Sequence, residues 1–218
     1  MLDWKTIDSV LLDMDGTLID QRFDNYFFLE LVPMLIAQRE KRSIKEVYTE
    51  KSKLYQQYTG TLDFYCLDFW TDKLQLDIRA LKRQCVHLIK VRAGVENFLQ
   101  RLCDLKKHLV LVTNAHPDSM NLKLQHTNLR LYFNRYISVH EIGLPKENKD
   151  FWHKLQAIEP FTPEKTLFID DNLPMLDAAK EYKIKHLFAI KKPDSAAPEK
   201  DTGNYYGLTD FAEITPHD

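Results

Sequence analysis

Apolar residues are distributed along the chain in two textures. Short aliphatic and β-branched runs occur at Val10-Leu11-Leu12, residues 109–112, 136–139, 166–169 and 186–190. Their apolar residues are consecutive rather than alternate, as in strands buried on both faces of a parallel sheet. Between the later runs, stretches near 95–106, 118–127, 147–158 and 173–183 have helical spacing. Strand and helix in alternation predict βαβ units with right-handed crossovers, and so an α/β, doubly wound parallel-sheet core.

The interval between the first two runs departs from this rhythm. Residues 20–90 contain no convincing strand. Ser43-Ile44-Lys45-Glu46 reads as a capping box that opens a helix reaching about Tyr58, with Gly60 as its stop. Asp77 is placed to cap a helix from Ile78 to about Leu88, and 62–75 is helical by pattern. Pro33 interrupts the first helix of the group or starts a new one. An insertion of roughly 70 residues is too long for a loop and predicts an all-helical unit after the first strand. The expected division is residues 1–19 and 91–218 as core and 20–90 as a helical cap domain. Residues 191–206 lack periodicity and read as a surface loop before a short terminal helix.

Composition narrows the class. At 218 residues, 44% hydrophobic and 28% charged, the chain has an ordinary globular mix, with too few Gly (6) and Pro (9) for a fibrous protein. A net charge of −2 gives no sign of the basic face expected of a nucleic-acid binder. Cys66, Cys85 and Cys103 share no CxxC spacing, so no disulfide framework is expected and a reducing, cytoplasmic setting is. The N-terminus has no signal-peptide h-region, and no apolar run approaches the ~20 residues of a membrane span. No nucleic-acid or membrane partner is expected.

The candidate chemistry lies at strand ends. The first strand runs into Asp13-Met14-Asp15-Gly16-Thr17, two acids two residues apart before a glycine able to turn sharply. A calcium loop needs acid or amide at three alternate positions, and here the third position is Thr17. The fourth strand ends in Asp170-Asp171. In a doubly wound sheet the carboxyl ends of strands gather along one edge, so Asp13, Asp15, Asp170 and Asp171 are expected to converge. Four carboxyls without sulfur or paired His suit a hard cation, Mg²⁺. Thr113-Asn114 ends the second strand, and Lys146 sits just before a helix.

This constellation resembles the haloacid dehalogenase superfamily, and specifically its phosphatases. Its four motifs match Asp13-Met14-Asp15-Gly16-Thr17, Thr113, Lys146 and Asp170-Asp171, over residues 7–19 and 91–190. Val10–Leu18, Phe23–Phe27, Thr113–Pro117, Pro145–Glu147 and Thr166–Asp171 look like the bacterial GMP/IMP 5′-nucleotidase subfamily. The resemblance implies a Rossmann-like core with a helical cap. It also implies Asp13 as nucleophile, Asp15 as general acid and base, and Thr113 and Lys146 as phosphate contacts. It implies Mg²⁺ held by Asp13, the backbone carbonyl of Asp15, Asp171 and, in or near the shell, Asp170. Many members carry Asp or Asn four residues after the last acid; here that position is Met175.

Substrate choice is expected in the insertion, because the core handles only phosphate. Asn25-Tyr26-Phe27-Phe28-Leu29 is apolar across too many positions for one helix stripe. Tyr65, Phe69 and Trp70 add aromatics. Most are expected to be core, with one or two, Phe28 or Trp70, available to stack on a purine. Asn25, Asn114 and His116 are candidate polar contacts, although His116 also fits as a helix cap. The favoured substrates are GMP and IMP. Another small-metabolite phosphatase, or a phosphomutase on the same core, is the alternative. A receiver module is excluded because too little chain follows Asp171, and Asp15 argues against a dehalogenase.

Overall fold

A computed structural model describes residues 2–216. Six strands form one sheet: β1 (Ser9–Leu12), β2 (His108–Thr113), β3 (Arg135–Ser138), β4 (Thr166–Asp170), β5 (His186–Ile190) and β6 (Tyr206–Leu208). Their order is β3-β2-β1-β4-β5-β6, and every neighbouring pair is parallel. Between β1 and β2 lie the helices α1 (Arg22–Asn25), α2 (Val32–Glu40), α3 (Ile44–Tyr58), α4 (Leu67–Leu74) and α5 (Ile78–Gln84). The later helices are α6 (Val95–Asp104), α7 (Pro117–Gln125), α8 (Val139–Ile142), α9 (Lys149–Ile158) and α10 (Leu173–Glu181).

The consecutive apolar runs are explained by the two faces of the sheet. Val10 and Leu12 of β1, Leu109 and Leu111 of β2, and Leu167 and Ile169 of β4 pack with α6 and α7. Leu11, Val110, Val112 and Phe168 point the other way, into α9 and α10. The middle of β1, β2 and β4 is therefore apolar at consecutive positions. A third cluster, from Phe23 to Cys85, is built from the helices between β1 and β2.

Four local differences from the sequence pattern have physical causes. β6 emerges from the stretch read as loop; only three residues long, with Gly207 at its centre and Leu208 alone buried, it has no periodicity to detect. Val139 opens α8 rather than extending β3, because the Ser138 hydroxyl accepts the His140 N–H and turns the chain. Ser43 starts α3 without a side-chain cap bond. It is exposed, so water can serve the first N–H groups of the helix. A capping box does form at Asp210–Glu213, on the terminal 3₁₀ turn Phe211–Glu213. Tyr26–Leu31 is π-helical, and its wider turn explains an apolar run too broad for an α-helical stripe.

The strand order reverses between β1 and β4, which both start from the centre of the sheet. The crevice outside their carboxyl ends is where ligands bind in such sheets. Leu11, fully buried on β1, anchors this arrangement from below. Leu11→Ala should cost about 2–5 kcal/mol in denaturant unfolding. A variant as stable as the parent would show that the centre of the sheet tolerates a cavity that close packing forbids.

Candidate active site

The crevice brings the carboxylates together. Asp13 continues β1 by donating its N–H to Ile169 O at 3.1 Å, and Asp170 ends β4. One carboxylate oxygen from each of Asp13, Asp170 and Asp171 lies within 4.8 Å of the others. Lys146 projects between them. Its ammonium donates to Asp13 Oδ1 at 2.6 Å, Asp170 Oδ2 at 2.7 Å and Val112 O at 3.1 Å, and the side chain is fully buried. Lys200 donates to Asp171 Oδ2 at 3.1 Å. Gly16, at φ +81°, keeps the turn close: a Cβ there would lie 2.7 Å from Asp171 Cγ and 2.9 Å from Pro193 Cβ.

Burial dominates the electrostatics. It pushes Asp13, Asp170 and Asp171 up to about 6, against the pull of Lys146 on the first two and of Lys200 on the third. Burial alone would lower Lys146, but Asp13 and Asp170 together hold it above the usual lysine range. Among the described residues, Asp13 Oδ2 is a buried acceptor without a hydrogen-bond partner. An all-oxygen donor set with an unsatisfied carboxylate oxygen fits a hard divalent cation of the Mg²⁺ type.

Asp15 faces elsewhere. Its carboxylate accepts from Lys123 at 2.5 Å, and Lys123 also donates to Asp24 at 2.5 Å. Asp24 in turn accepts from Lys82 at 2.5 Å. The Asp15 carboxylate is thus outside the three-acid cluster. Burial raises it to about 6, with Lys123 opposing and Asp24 and Asp13 assisting. Burial works against ionised Asp24, yet Lys123 and Lys82 hold it well below the carboxylate range. Lys123 and Lys82 are almost completely buried. Pattern reading passed over both because lysine on a helix ordinarily faces water. The only sequence hint was their placement among apolar neighbours.

The remaining candidates line one cavity of about 320 Å³, within the range of small-molecule sites. Thr113 ends β2, its hydroxyl accepting from the Ala115 N–H at 3.1 Å. Asn114 accepts the Lys146 N–H at 3.1 Å and donates to Glu147 at 3.0 Å. Tyr65 donates to the same Glu147 carboxylate at 3.0 Å, joining the helical insertion to the sheet. His116 caps α7, its Nδ1 accepting from the Asp118 N–H at 3.2 Å, and also reaches the cavity. Asn25 lines the wall and donates to Asp194 at 2.8 Å. Phe28 is half-buried on the cavity side. Trp70 reaches the same wall but is only 1% exposed, donates to Phe64 O at 2.7 Å and packs edge-on against Tyr55 and Phe69. Its place is the core of the insertion. Met175 also borders the cavity.

Lys200 and the segment around it are a further addition. Asp20 accepts from the Ser195 N–H at 3.0 Å, and Gln21 N–H donates to Pro193 O at 2.9 Å. These bonds bring the non-periodic stretch over the crevice. No local sequence signal announces them, because each partner is more than 170 residues away.

The sheet order, with acids at the switch point and a lysine between them, is accompanied by a match of residues 7–182 to the haloacid dehalogenase-like hydrolase family, which makes the chain a hydrolase. The chain belongs to that family. It is 37% identical over 213 residues to the GMP/IMP nucleotidase YrfG of Escherichia coli (strain K12), covering 98% of this chain and 96% of that one. The Shigella flexneri protein of the same name matches equally. Among solved structures, a HAD phosphatase from Thermococcus onnurineus superposes with a TM-score of 0.77 at 20% identity, covering 95% of this chain and 96% of that one. L-2-haloacid dehalogenase from Xanthobacter autotrophicus gives 0.63 at 15%, covering 96% and 97%. At these identities the two structures speak for the fold alone. Among the described residues, no helix is long and apolar enough to cross a membrane.

The raised carboxyls have a consequence for stability. Between the ordinary 3.8 and about 6, folded Asp171 holds more protons than the unfolded chain does. Its contribution to stability therefore falls as pH rises through that window. Without divalent cations, Asp171→Asn should flatten the decline of melting temperature over this range. Parallel pH profiles for variant and parent would show that Asp171 titrates normally.

Proposed function

We propose that the chain is a phosphomonoester hydrolase that acts through an aspartyl-phosphate on purine nucleoside 5′-monophosphates. The observation that carries the first part is the fully buried Lys146 ammonium between Asp13 and Asp170, beside Asp171, in the lining of one cavity. The match to the GMP/IMP nucleotidase supports the second part.

In this reading Asp13 attacks phosphorus through a carboxylate oxygen. The new O–P bond forms as the P–O bond to the leaving alkoxide breaks. Asp15 delivers a proton to that alkoxide, then takes one from the water that cleaves the aspartyl-phosphate. Its carboxyl near 6 leaves it close enough to neutrality to serve both roles. Lys123 holds it in place. Lys146 offsets charge on Asp13 and on the phosphoryl oxygens, and Thr113 and Asn114 offer donors beside it. Asp13, Asp170 and Asp171, with the Asp15 backbone carbonyl, would hold Mg²⁺, which supplies charge neutralisation between anionic nucleophile and anionic phosphate.

The helical unit, residues 20–90, serves as the cap that reads the base, while 1–19 and 91–218 handle the phosphate. Phe28 is the favoured stacking face. Trp70 is committed to packing, and its loss would disturb the insertion itself.

Asp13→Asn should remove turnover by on the order of 10³-fold or more, with unchanged circular dichroism, since Lys146 keeps Asp170. Full activity in that variant would take Asp13 out of the reaction.

A phosphate-release screen should favour GMP and IMP by kcat/KM over pyrimidine nucleotides and sugar phosphates. Phe28→Ala should raise KM for GMP about tenfold, from the roughly 1–3 kcal/mol of base stacking, and spare p-nitrophenyl phosphate. A better rate with phosphoglycolate or a hexose phosphate would sink the nucleotidase reading and leave the phosphatase reading standing.

A further inference from the structure

A second group of ligating atoms meets where the helical insertion touches the sheet. Cys66 stands at the start of α4, directly after the 3₁₀ turn Leu62–Tyr65. His116 follows β2, and His140 lies in α8 after β3. The Cys66 sulfur and one ring nitrogen from each histidine lie within 4.8 Å of one another. The two rings pack edge-on with centroids 4.9 Å apart, and all three residues are half-buried.

The surroundings favour a cation. His140 Nε2 is buried without a hydrogen-bond partner among the described residues. A buried orphan of this kind needs an explanation. Burial and the neighbouring His116 ring hold His140 below the usual histidine range, and burial and Arg79 do the same for His116. Both rings are thus neutral, with a lone pair to give. Asp68 and Asp118 carboxylates lie 3.5 Å and 3.7 Å from the His116 ring nitrogens, and Arg79 bridges the two. Two carboxylates against one guanidinium leave one net negative charge, and a thiolate would make it two. A single dication neutralises that sum.

We propose that Cys66, His116 and His140 form a binding site for an ion of the Zn²⁺ class, pinning the helical insertion to the sheet. The sulfur and imidazole donors select such an ion over Mg²⁺, which the oxygen-only cluster around Asp13 suits. Ligand atoms around tetrahedral zinc sit roughly 3.3–3.6 Å apart, so side-chain rotation closes the gap. On binding, the Cys66 S–H bond breaks, its proton goes to solvent, and the sulfur electron pair forms the metal bond; no electron is transferred. A neutral His116 has one lone pair, now accepting from the Asp118 N–H. Ligation through either ring nitrogen ends that hydrogen bond, so the ion takes over a ring that also lines the cavity. Asp68 or water completes the coordination.

The test is titration of the full chain with Co²⁺ in excess Mg²⁺, followed by absorption. One equivalent should produce a thiolate-to-cobalt charge-transfer band that Zn²⁺ bleaches. Cys66→Ser should lose the band while its circular dichroism stays that of the parent. His140→Gln should weaken Co²⁺ binding by about tenfold or more. No band from the parent at stoichiometric Co²⁺ would overturn the proposal, whatever the variants do. So would a band that survives in Cys66→Ser, since it would arise from Cys85 or Cys103. The readout needs no turnover, so its outcome is independent of the role assigned to Asp13.

Discussion

Lys146 places one buried ammonium between carboxylates belonging to two neighbouring strands. Without it, Asp13 and Asp170 would face one another as two buried like charges, a contact the fold could hold only by taking up protons or a cation. With it, β1 and β4 are tied together at the point where strand order reverses. The rest of the site is arranged around that contact. Asn114 fixes the lysine's backbone, and Trp152 donates to its carbonyl at 3.0 Å. Gly16 allows the Asp171 side of the crevice to close.

The balance of charge is uneven across the crevice. Lys146 is ion-paired with two acids, while among the described residues Asp171 is ion-paired with the partly exposed Lys200. Among the described residues, Asp13 Oδ2 has no hydrogen-bond partner. The site is therefore not a closed ion-pair network of the kind that merely stabilises a fold. It carries unspent negative charge directed at a cavity, an arrangement that a hard cation fits. The aromatic residues of the cavity wall, Phe28, Tyr55 and Tyr65 among them, come from the helical insertion, whereas the acids come from the strand ends.

Much of this was legible from residue order because both-face burial leaves consecutive apolar runs and strand ends expose their acids together. β1 to β5 and the convergence of Asp13, Asp170 and Asp171 followed from that. β6 did not, because a three-residue edge strand with a central glycine has no period. The outward-reading lysines were also hidden. Lys82 and Lys123 share the buried faces of their helices with Ile78 and with Met120 and Leu124, but a lysine ordinarily reads as solvent-facing, and only the meeting of two separate parts of the chain gives their charges partners. Ser43 shows the converse: a motif correct in letters whose bond was unnecessary because water reaches it. Trp70 was ambiguous in sequence, since large aromatic residues fill cores and line cavities alike, and here the core claims most of its surface.

The row Asp15, Lys123, Asp24, Lys82 alternates in sign as it passes from the end of β1 through α7 into α1 and α5. It makes the two parts of the molecule an inherited pair. A foreign insertion grafted between β1 and β2 without an acid at position 24 would strand Lys123 with a single partner and leave Asp15 differently held. An insertion lacking Lys82 would leave Asp24 with only one of its two cations. Exchange of insertions between relatives is therefore constrained at these four positions. The aromatic residues beside the row are tied to it as well, since the Lys82 ammonium lies 4.7, 4.9 and 5.1 Å from the ring centres of Phe23, Phe27 and Phe28, so a change in those rings also changes the setting of the cation that holds Asp24.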